Sequence, residues 1–355
     1  MPTRRDFLSA VAGSTLAAAP MSAAGAAAAP AKKKIRVGAM TVGDGSFWGL
    51  WANILSDKGS FGTPIFNMEL THCWDINFES AQKFARQYDC EPVREYDGLL
   101  GKVDAIIFGS FFEVPWQHRL AWPYVEAGVP TYLSRPFSYR LKDIDAILNL
   151  AAKHSTPLIA SSVGEHFYES TYLKSRLPNL GEIKSVHAIT SSTEYAGHFH
   201  IQWFILRALG YDVDKISVIT DDDRKLTYLQ ETMLFKGING DRPFLTTLHA
   251  NSKVPYFYVT ARGEKASETV HVDRSPDRRE TLYHYFAPQL LAMQRTFEGE
   301  NFQPFDIIRK KTQFFLAGYY SHLEKNGALI PVGSVPVDWS PHHFRPGWVD
   351  ESIFK

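Results

Sequence analysis

The sequence predicts an α/β protein in which a doubly wound parallel sheet is followed by an α+β region with an open, mostly antiparallel sheet. Three observations carry this reading. Short apolar strands alternate with helical stretches as far as about residue 160, the rhythm of β-α-β units. From Lys184 to about Asp273 the strands change to period-two character and only one helix interrupts them. The 355 residues are 45% hydrophobic and 14% aromatic, enough to bury a large core and far from the composition of a disordered chain.

The chain opens with Arg4-Arg5-Asp6 ahead of an Ala-rich, nearly uncharged stretch that ends in Ala29-Pro30-Ala31. Paired arginines, a mildly apolar run and a small-x-small site predict a twin-arginine export signal over 1–31, cleaved near Ala31. Ala, Gly and Pro make the stretch too weakly apolar for a membrane anchor, so no stable membrane insertion is expected after cleavage and the mature protein is expected in the periplasm or outside the cell.

The first strand is 35–40. A glycine-bearing turn over 41–46 leads to an aromatic helix at 47–55. A strand at 68–74 ends at Asp75, and 80–88 has helical spacing. Strand 103–109 precedes helix 116–127, strand 130–133 precedes helix 141–153, and 158–161 is the fifth strand. Later come strands at 184–193, 244–250 and 256–262, a helix at 203–209, and two long helices at 283–297 and 304–324. The predicted division is 1–31 signal, 32–160 first domain and 161–355 second domain.

With 38 basic and 38 acidic residues the chain lacks the basic face that a nucleic-acid binder needs. The leader takes two arginines and one aspartate, so this balance survives its removal. Cys73 and Cys90 are too few for a disulfide framework or a thiolate zinc site. Both are read as small core hydrophobes, with a single disulfide as the alternative.

Tyr96-Asp97-Gly98-Leu99-Leu100, Val103-Asp104-Ala105-Ile106-Ile107, His118, Glu126-Ala127-Gly128-Val129-Pro130 and Ser134-Arg135-Pro136-Phe137 follow one another in order. His200, Trp203-Phe204 and a helix closing in Leu209-Gly210 come later. This succession resembles the Gfo/Idh/MocA family (glucose–fructose oxidoreductase, inositol dehydrogenase, rhizopine catabolism) over nearly the whole mature chain. The resemblance implies a Rossmann-like nucleotide-binding domain, a C-terminal substrate and oligomerisation domain, NAD(P), a sugar or polyol substrate, and a homo-oligomer pairing through the second sheet. It places His118 at the cofactor.

The sequence departs from that family at three functional places. In the dinucleotide loop, aligned on Ile35-Arg36-Val37-Gly38, the three glycine positions are Thr41, Gly43 and Ser46, with Gly45 available for a variant turn. Asp75 stands where such folds hold ribose hydroxyls; its other reading is a helix N-cap. Where the family has Glu-Lys-Pro the chain has Ser134-Arg135-Pro136. Arginine keeps the charge but relays no proton, so Arg135 suits a carboxylate, or else a structural hinge. The catalytic Asp-x-x-x-His pattern retains His200, but Ala196 replaces the aspartate. Tyr195 and His198 lie in the same polar run.

A second polar cluster, Gly164-Glu165-His166-Phe167-Tyr168-Glu169, follows the fifth strand, at the edge where doubly wound sheets bind ligands. His166 joins the candidate acid–base groups. Glu165, His166 and Glu169 with His198 and His200 form a candidate site for Zn or Mn. His342-His343 reads as surface or subunit contact, and Trp48, Trp51, Trp74 and Trp116 as core or as sugar-stacking rings.

Two reactions compete. NAD(P) could accept hydride from a sugar or polyol while His200 or Tyr195 takes the hydroxyl proton and Arg135 holds the substrate. Alternatively, a polysaccharide lyase could abstract the proton α to a uronate carboxylate, with Arg135 or a metal stabilising the enolate. An NAD-dependent oxidise–eliminate glycosidase and a non-catalytic sugar-binding relative are the remaining readings.

Overall fold

The computed structural model describes residues 33–43, 46–56, 66–110, 114–190, 195–220, 228–251, 257–272, 278–300, 303–341 and 351–354, with backbone alone at 195–199, 228, 241–242, 250–251, 257, 278–282 and 351. The segment 1–31 predicted as an export signal, Gly45 and His342-His343 lie outside the described residues. From Lys34 to the C-terminus the chain is one compact unit.

The first half alternates as its sequence predicts: β1 (Ile35–Met40), α1 (Trp48–Ser56), β2 (Met68–Trp74), α2 (Phe78–Tyr88), β3 (Glu91–Pro92), β4 (Ala105–Phe108), α3 (Gln117–Glu126), β5 (Thr131–Leu133), α4 (Leu141–His154) and β6 (Leu158–Ala160). These six strands form one sheet in the order β3-β2-β1-β4-β5-β6, and every neighbouring pair is parallel. That is the doubly wound order whose direction reverses between β1 and β4, so the crevice at their carboxyl ends is the natural ligand position. β4, β5 and β6 are buried along their whole length, as a sheet covered on both faces requires.

Two helices follow β6, α5 (Val163–His166) and α6 (Tyr168–Leu180), before β7 (Ile183–Thr190) and α7 (Tyr195–Leu209). Then come β8 (Val213–Thr220), β9 (Tyr228–Gly237), β10 (Gly240–Asn251), β11 (Phe257–Gly263), β12 (Ser267–Val272), α8 (Arg278–Phe297), α9 (Phe305–Lys325) and β13 (Ile330–Pro331). The second sheet runs β12-β11-β7-β10-β9-β8-β13. It is antiparallel except between β7 and β10.

Several of these elements escape the sequence reading. β8 and β9 carry Asp, Lys, Gln, Glu and Thr among their apolar residues, so their alternation is diluted; α6 holds Pro178 near its end, a residue that ordinarily breaks a helix. α7 begins eight residues before the predicted 203. Both cysteines are free thiols, Cys73 buried and Cys90 half-buried.

α8 is distant in sequence but completes the first sheet. Its Leu290, Ala292, Met293 and Phe297 share one apolar cluster with Val37 and Ala39 of β1, Trp51 of α1, Tyr132 of β5 and Ile159 of β6. The core of the second sheet contains a charge-capable residue: Glu231 of β9 is wholly buried, and both of its carboxylate oxygens accept from Gln202 Nε2, at 3.0 and 2.9 Å.

Burial pushes the Glu231 carboxyl up to about 8, with the Gln202 hydrogen bond opposing it. Unfolded, the group titrates near 4.5. Between those values the folded chain keeps a proton that the unfolded chain releases, so this group lowers stability as pH rises through the window, by about 1.4 kcal/mol per pH unit. Glu231→Gln is expected to flatten that slope and to melt above wild type on the alkaline side. Thermal melts on both sides of the window check this; a variant with an undiminished slope refutes it.

Candidate active site

The carboxyl ends of the parallel strands deliver the candidate residues to one crevice. After β1 the chain turns through Thr41 at φ 58°, a left-handed conformation that usually favours glycine. Thr41 compensates with its hydroxyl, which donates to Met40 O at 2.6 Å and accepts from the N–H groups of Gly109 and Ser110, each at 3.2 Å. The ends of β1 and β4 are thereby tied together. The Phe47 N–H donates to Gly109 O at 2.8 Å, and the buried indole of Trp48 lies against Gly109 while donating to Met40 O at 3.0 Å. Trp48 and Trp51 are wholly or almost wholly buried: core, not sugar platforms.

Asp75, at the end of β2, accepts from the Gly43 N–H through Oδ2 at 2.7 Å and from the Asn77 N–H through Oδ1 at 2.9 Å. The N-cap of α2 is Asn77, which accepts from the Glu79 N–H at 3.0 Å; Asp75 instead holds the turn after β1 beside it. A Cβ on Gly43 would lie 3.0 Å from Asp75 Oδ2, so this turn and this carboxylate are matched.

His118 sits in α3 with Nε2 3.6 Å from Asp143 of α4, a contact between two helices. Its wholly buried neighbour Gln117 does the linking: it donates to Ser110 O at 3.2 Å and accepts from the Ser134 N–H at 2.9 Å.

Arg135 follows β5 and is only 2% exposed. Its Nη1 donates to Ser134 Oγ at 2.8 Å, and its guanidinium lies 3.5 Å from the centre of the Phe47 ring, close enough for a cation–π contact. Burial lowers its pKa to about 10, against the opposing pull of Tyr132 and Tyr139. The arginine is thus roofed by an aromatic ring, a feature the sequence does not reveal.

Phe47 also meets the His200 ring edge-on, centroids 6.3 Å apart, and Phe286 of α8 at 6.0 Å. His200 is half-buried on α7, and its Nδ1 lies 2.5 Å from Ser162 Oγ, just beyond β6. α5 and α7 meet closely: a Cβ on Gly164 would stand 1.8 Å from His200 O, so only glycine permits this approach. Tyr195 and His198 occupy the first turns of the same helix, with side chains outside those described.

The proposed metal ligands whose side chains are described are not brought together. Glu165 accepts from Lys311 Nζ through both oxygens at 2.8 Å and from the Ser162 N–H at 3.2 Å. Glu169 pairs with His284 at 3.2 Å. Burial, with the charges of Lys311 and Arg207, pushes His166 down to about 3, so it is neutral near pH 7 and cannot act there as an acid. Among the described residues no group of three His, Cys, Asp or Glu could hold a metal ion. A metal does not fit these described residues, because both oxygens of Glu165 are already taken by the Lys311 ammonium and Glu169 is turned to His284.

Lys311 is the residue the sequence reading missed. It is wholly buried in α9, and besides Glu165 it donates to Ala160 O at 2.7 Å. Burial draws its pKa down to about 8 while Glu165 opposes the shift. Its signal is its place on the apolar stripe of Ile308, Thr312 and Phe315, where a lysine must find a partner.

A dinucleotide at the first half of the crevice would meet the Gly43 turn and the buried Asp75 carboxylate, which already accepts from the Gly43 N–H at 2.7 Å. Two further buried polar atoms, Ser161 Oγ and Gln289 Oε1, have no hydrogen-bond partner among the described residues and sit at the same edge of the sheet. At the second half the ligand would meet Phe47.

No protein-family model matches the sequence, and neither does any curated protein. Solved structures do match the fold. Scyllo-inositol dehydrogenase from Lactobacillus casei, with bound NAD(H) and scyllo-inositol, superposes with a TM-score of 0.67 at 15% identity, covering 85% of this chain and 100% of that one. Myo-inositol dehydrogenase from the same organism, in complex with NAD(H) and myo-inositol, gives 0.68 at 12% identity over 88% of this chain and 100% of that one. An oxidoreductase from Agrobacterium radiobacter in complex with NAD+, L-tartaric acid and magnesium gives 0.67 at 13% identity over 85% and 99%. The chain therefore has the fold of these sugar and polyol dehydrogenases.

Lys311→Met is expected to cost about 3–5 kcal/mol, because Glu165 stays buried without its partner. Glu165→Gln/Lys311→Met together should recover part of that loss. Denaturant unfolding of both variants checks the coupling, and equal losses would show that the two residues do not act as a pair.

Proposed function

We propose that this chain is an exported carbohydrate-active enzyme that oxidises or reduces a sugar or polyol with NAD(P). The observation that carries the reading is the meeting of Phe47, Arg135, Ser162 and His200 at the carboxyl edge of the parallel sheet, in a fold shared with dehydrogenases that bind NAD(H) and inositols. The export signal adds the location, and the open second sheet the surface for pairing of copies.

In this reading Gly43 and Asp75 hold the adenosine side of the cofactor, which supplies the hydride acceptor or donor when bound. His200 hydrogen-bonds the reacting oxygen of the substrate from α7. Tyr195 and His198, on the first turns of the same helix, are the groups for proton transfer. Arg135 stays charged behind Phe47 and favours developing negative charge nearby. Substrate access depends on the Phe47 ring, which shields both Arg135 and the inner wall of the crevice.

One observation favours a second reading. The Phe47 ring packed on the Arg135 guanidinium, a cation suited to a carboxylate, suits a site without nicotinamide, in which a uronate glycan is cleaved by β-elimination.

The test is the small molecules released when the purified protein is denatured, followed by titration with NAD(P) and by assay of sugars and polyols through nicotinamide absorbance. Bound or titratable NAD(P) is expected. His200→Ala should lower turnover about 10²–10⁴-fold with its fold intact. If no NAD(P) binds, and alginate, pectin or ulvan instead gives unsaturated products, elimination replaces hydride transfer.

A further inference from the structure

Ser162 is hydrogen-bonded through its N–H, its carbonyl and its hydroxyl. Its N–H donates to Glu165 Oε2 at 3.2 Å, its carbonyl accepts from the Glu165 N–H at 3.1 Å, its Oγ accepts from the Gly164 N–H at 3.3 Å, and the same Oγ lies 2.5 Å from His200 Nδ1. A hydroxyl has one hydrogen to give. Both acceptor sites of Ser162 Oγ are taken, by the backbone N–H groups of Gly164 and, through the capping box, of Glu165, and His200 Nδ1 is the acceptor within reach of its hydrogen. We propose that Ser162 is a positioning residue that donates to His200 Nδ1 and so holds the imidazole in the tautomer with its hydrogen on Nε2.

The consequence concerns the role of His200, and it rests on the reading that His200 contacts the reacting oxygen. A neutral imidazole with Nδ1 filled by a hydroxyl hydrogen and Nε2 protonated has no lone pair with which to take a proton. It is a hydrogen-bond donor, suited to stabilising negative charge on a substrate oxygen. His200 then polarises, and the base of the reaction lies elsewhere. This holds for an alkoxide in hydride transfer and for an enolate in elimination alike.

Ser162 is rigidly placed for such a task. It is wholly buried, and it caps α5 in a capping box with Glu165. Glu165 is itself fixed by Lys311 and accepts from Tyr211 OH at 3.3 Å. Gly164 lets the His200 backbone approach without steric conflict. The serine, its cap and the ion pair form one continuous buried support for a single ring nitrogen.

Long-range nitrogen–proton spectra of the full-length protein, labelled with ¹⁵N-histidine, test this, with His200→Gln assigning the His200 signals. In wild type the Nε2 signal should be of the hydrogen-bearing type and the Nδ1 signal of the bare type. Ser162→Ala should give a mixture of the two tautomers and lower turnover about 10²-fold, as loss of alignment does; Ser162→Thr, which keeps the hydroxyl, should restore both. A hydrogen on Nδ1 in wild type, or an unchanged His200 spectrum in Ser162→Ala, overturns the proposal. The wild-type spectrum decides even if Ser162→Ala fails to fold. If the tautomer is as stated but His200→Ala remains active, it is the functional reading that fails and the assignment of Ser162 stands.

Discussion

The ion pair between Lys311 and Glu165 is the constraint on which the rest of the crevice depends. A lysine that is wholly buried loses its hydration, and only a close anion and further hydrogen bonds make that tolerable. Both oxygens of Glu165 and the carbonyl of Ala160 supply them. The pair thus ties α9, at the far end of the chain, to the carboxyl end of β6 and the first turn of α5. Every position that follows, from Ser162 to the place where α7 crosses Gly164, is measured from that tie.

The crevice above it is built from packed polar positions. Thr41 takes a glycine's backbone conformation and offsets its strain with hydroxyl bonds. Asp75 keeps its place at the end of β2 but braces the neighbouring turn. Phe47 covers Arg135. Each of these polar groups is packed or hydrogen-bonded, so the inner wall is less exposed than the residue types alone imply.

The first sheet was almost fully legible in the sequence, because buried parallel strands are continuous apolar runs separated by helices of ordinary length. The second was legible only in part: β7, β10 and β11 alternate cleanly, while β8 and β9 mix charges into the pattern and hide Glu231 in the core. Of the candidate site, Arg135 and His200 meet through Phe47, and Gly43 and Asp75 through a hydrogen bond, at the ends of the parallel strands. Glu165, Glu169 and His118 each face a charge-capable partner, which sequence cannot show, since it gives a polar group without showing whether a partner has claimed it. Ser162, Phe47 and Lys311 carried no motif; their roles come from contacts across 38, 88 and 146 residues of chain.

The return of α8 to the first sheet has a bearing on how the chain acquires its structure. Leu290, Met293 and Phe297 finish the apolar layer begun by Val37 and Trp51, some 250 residues earlier. A nascent chain leaving the ribosome therefore exposes that layer until nearly all of it has been synthesised. Contacts of such long sequence separation form slowly, since a large loop must close before they contribute. The N-terminal half therefore completes its apolar layer only with residues from near the other end of the chain.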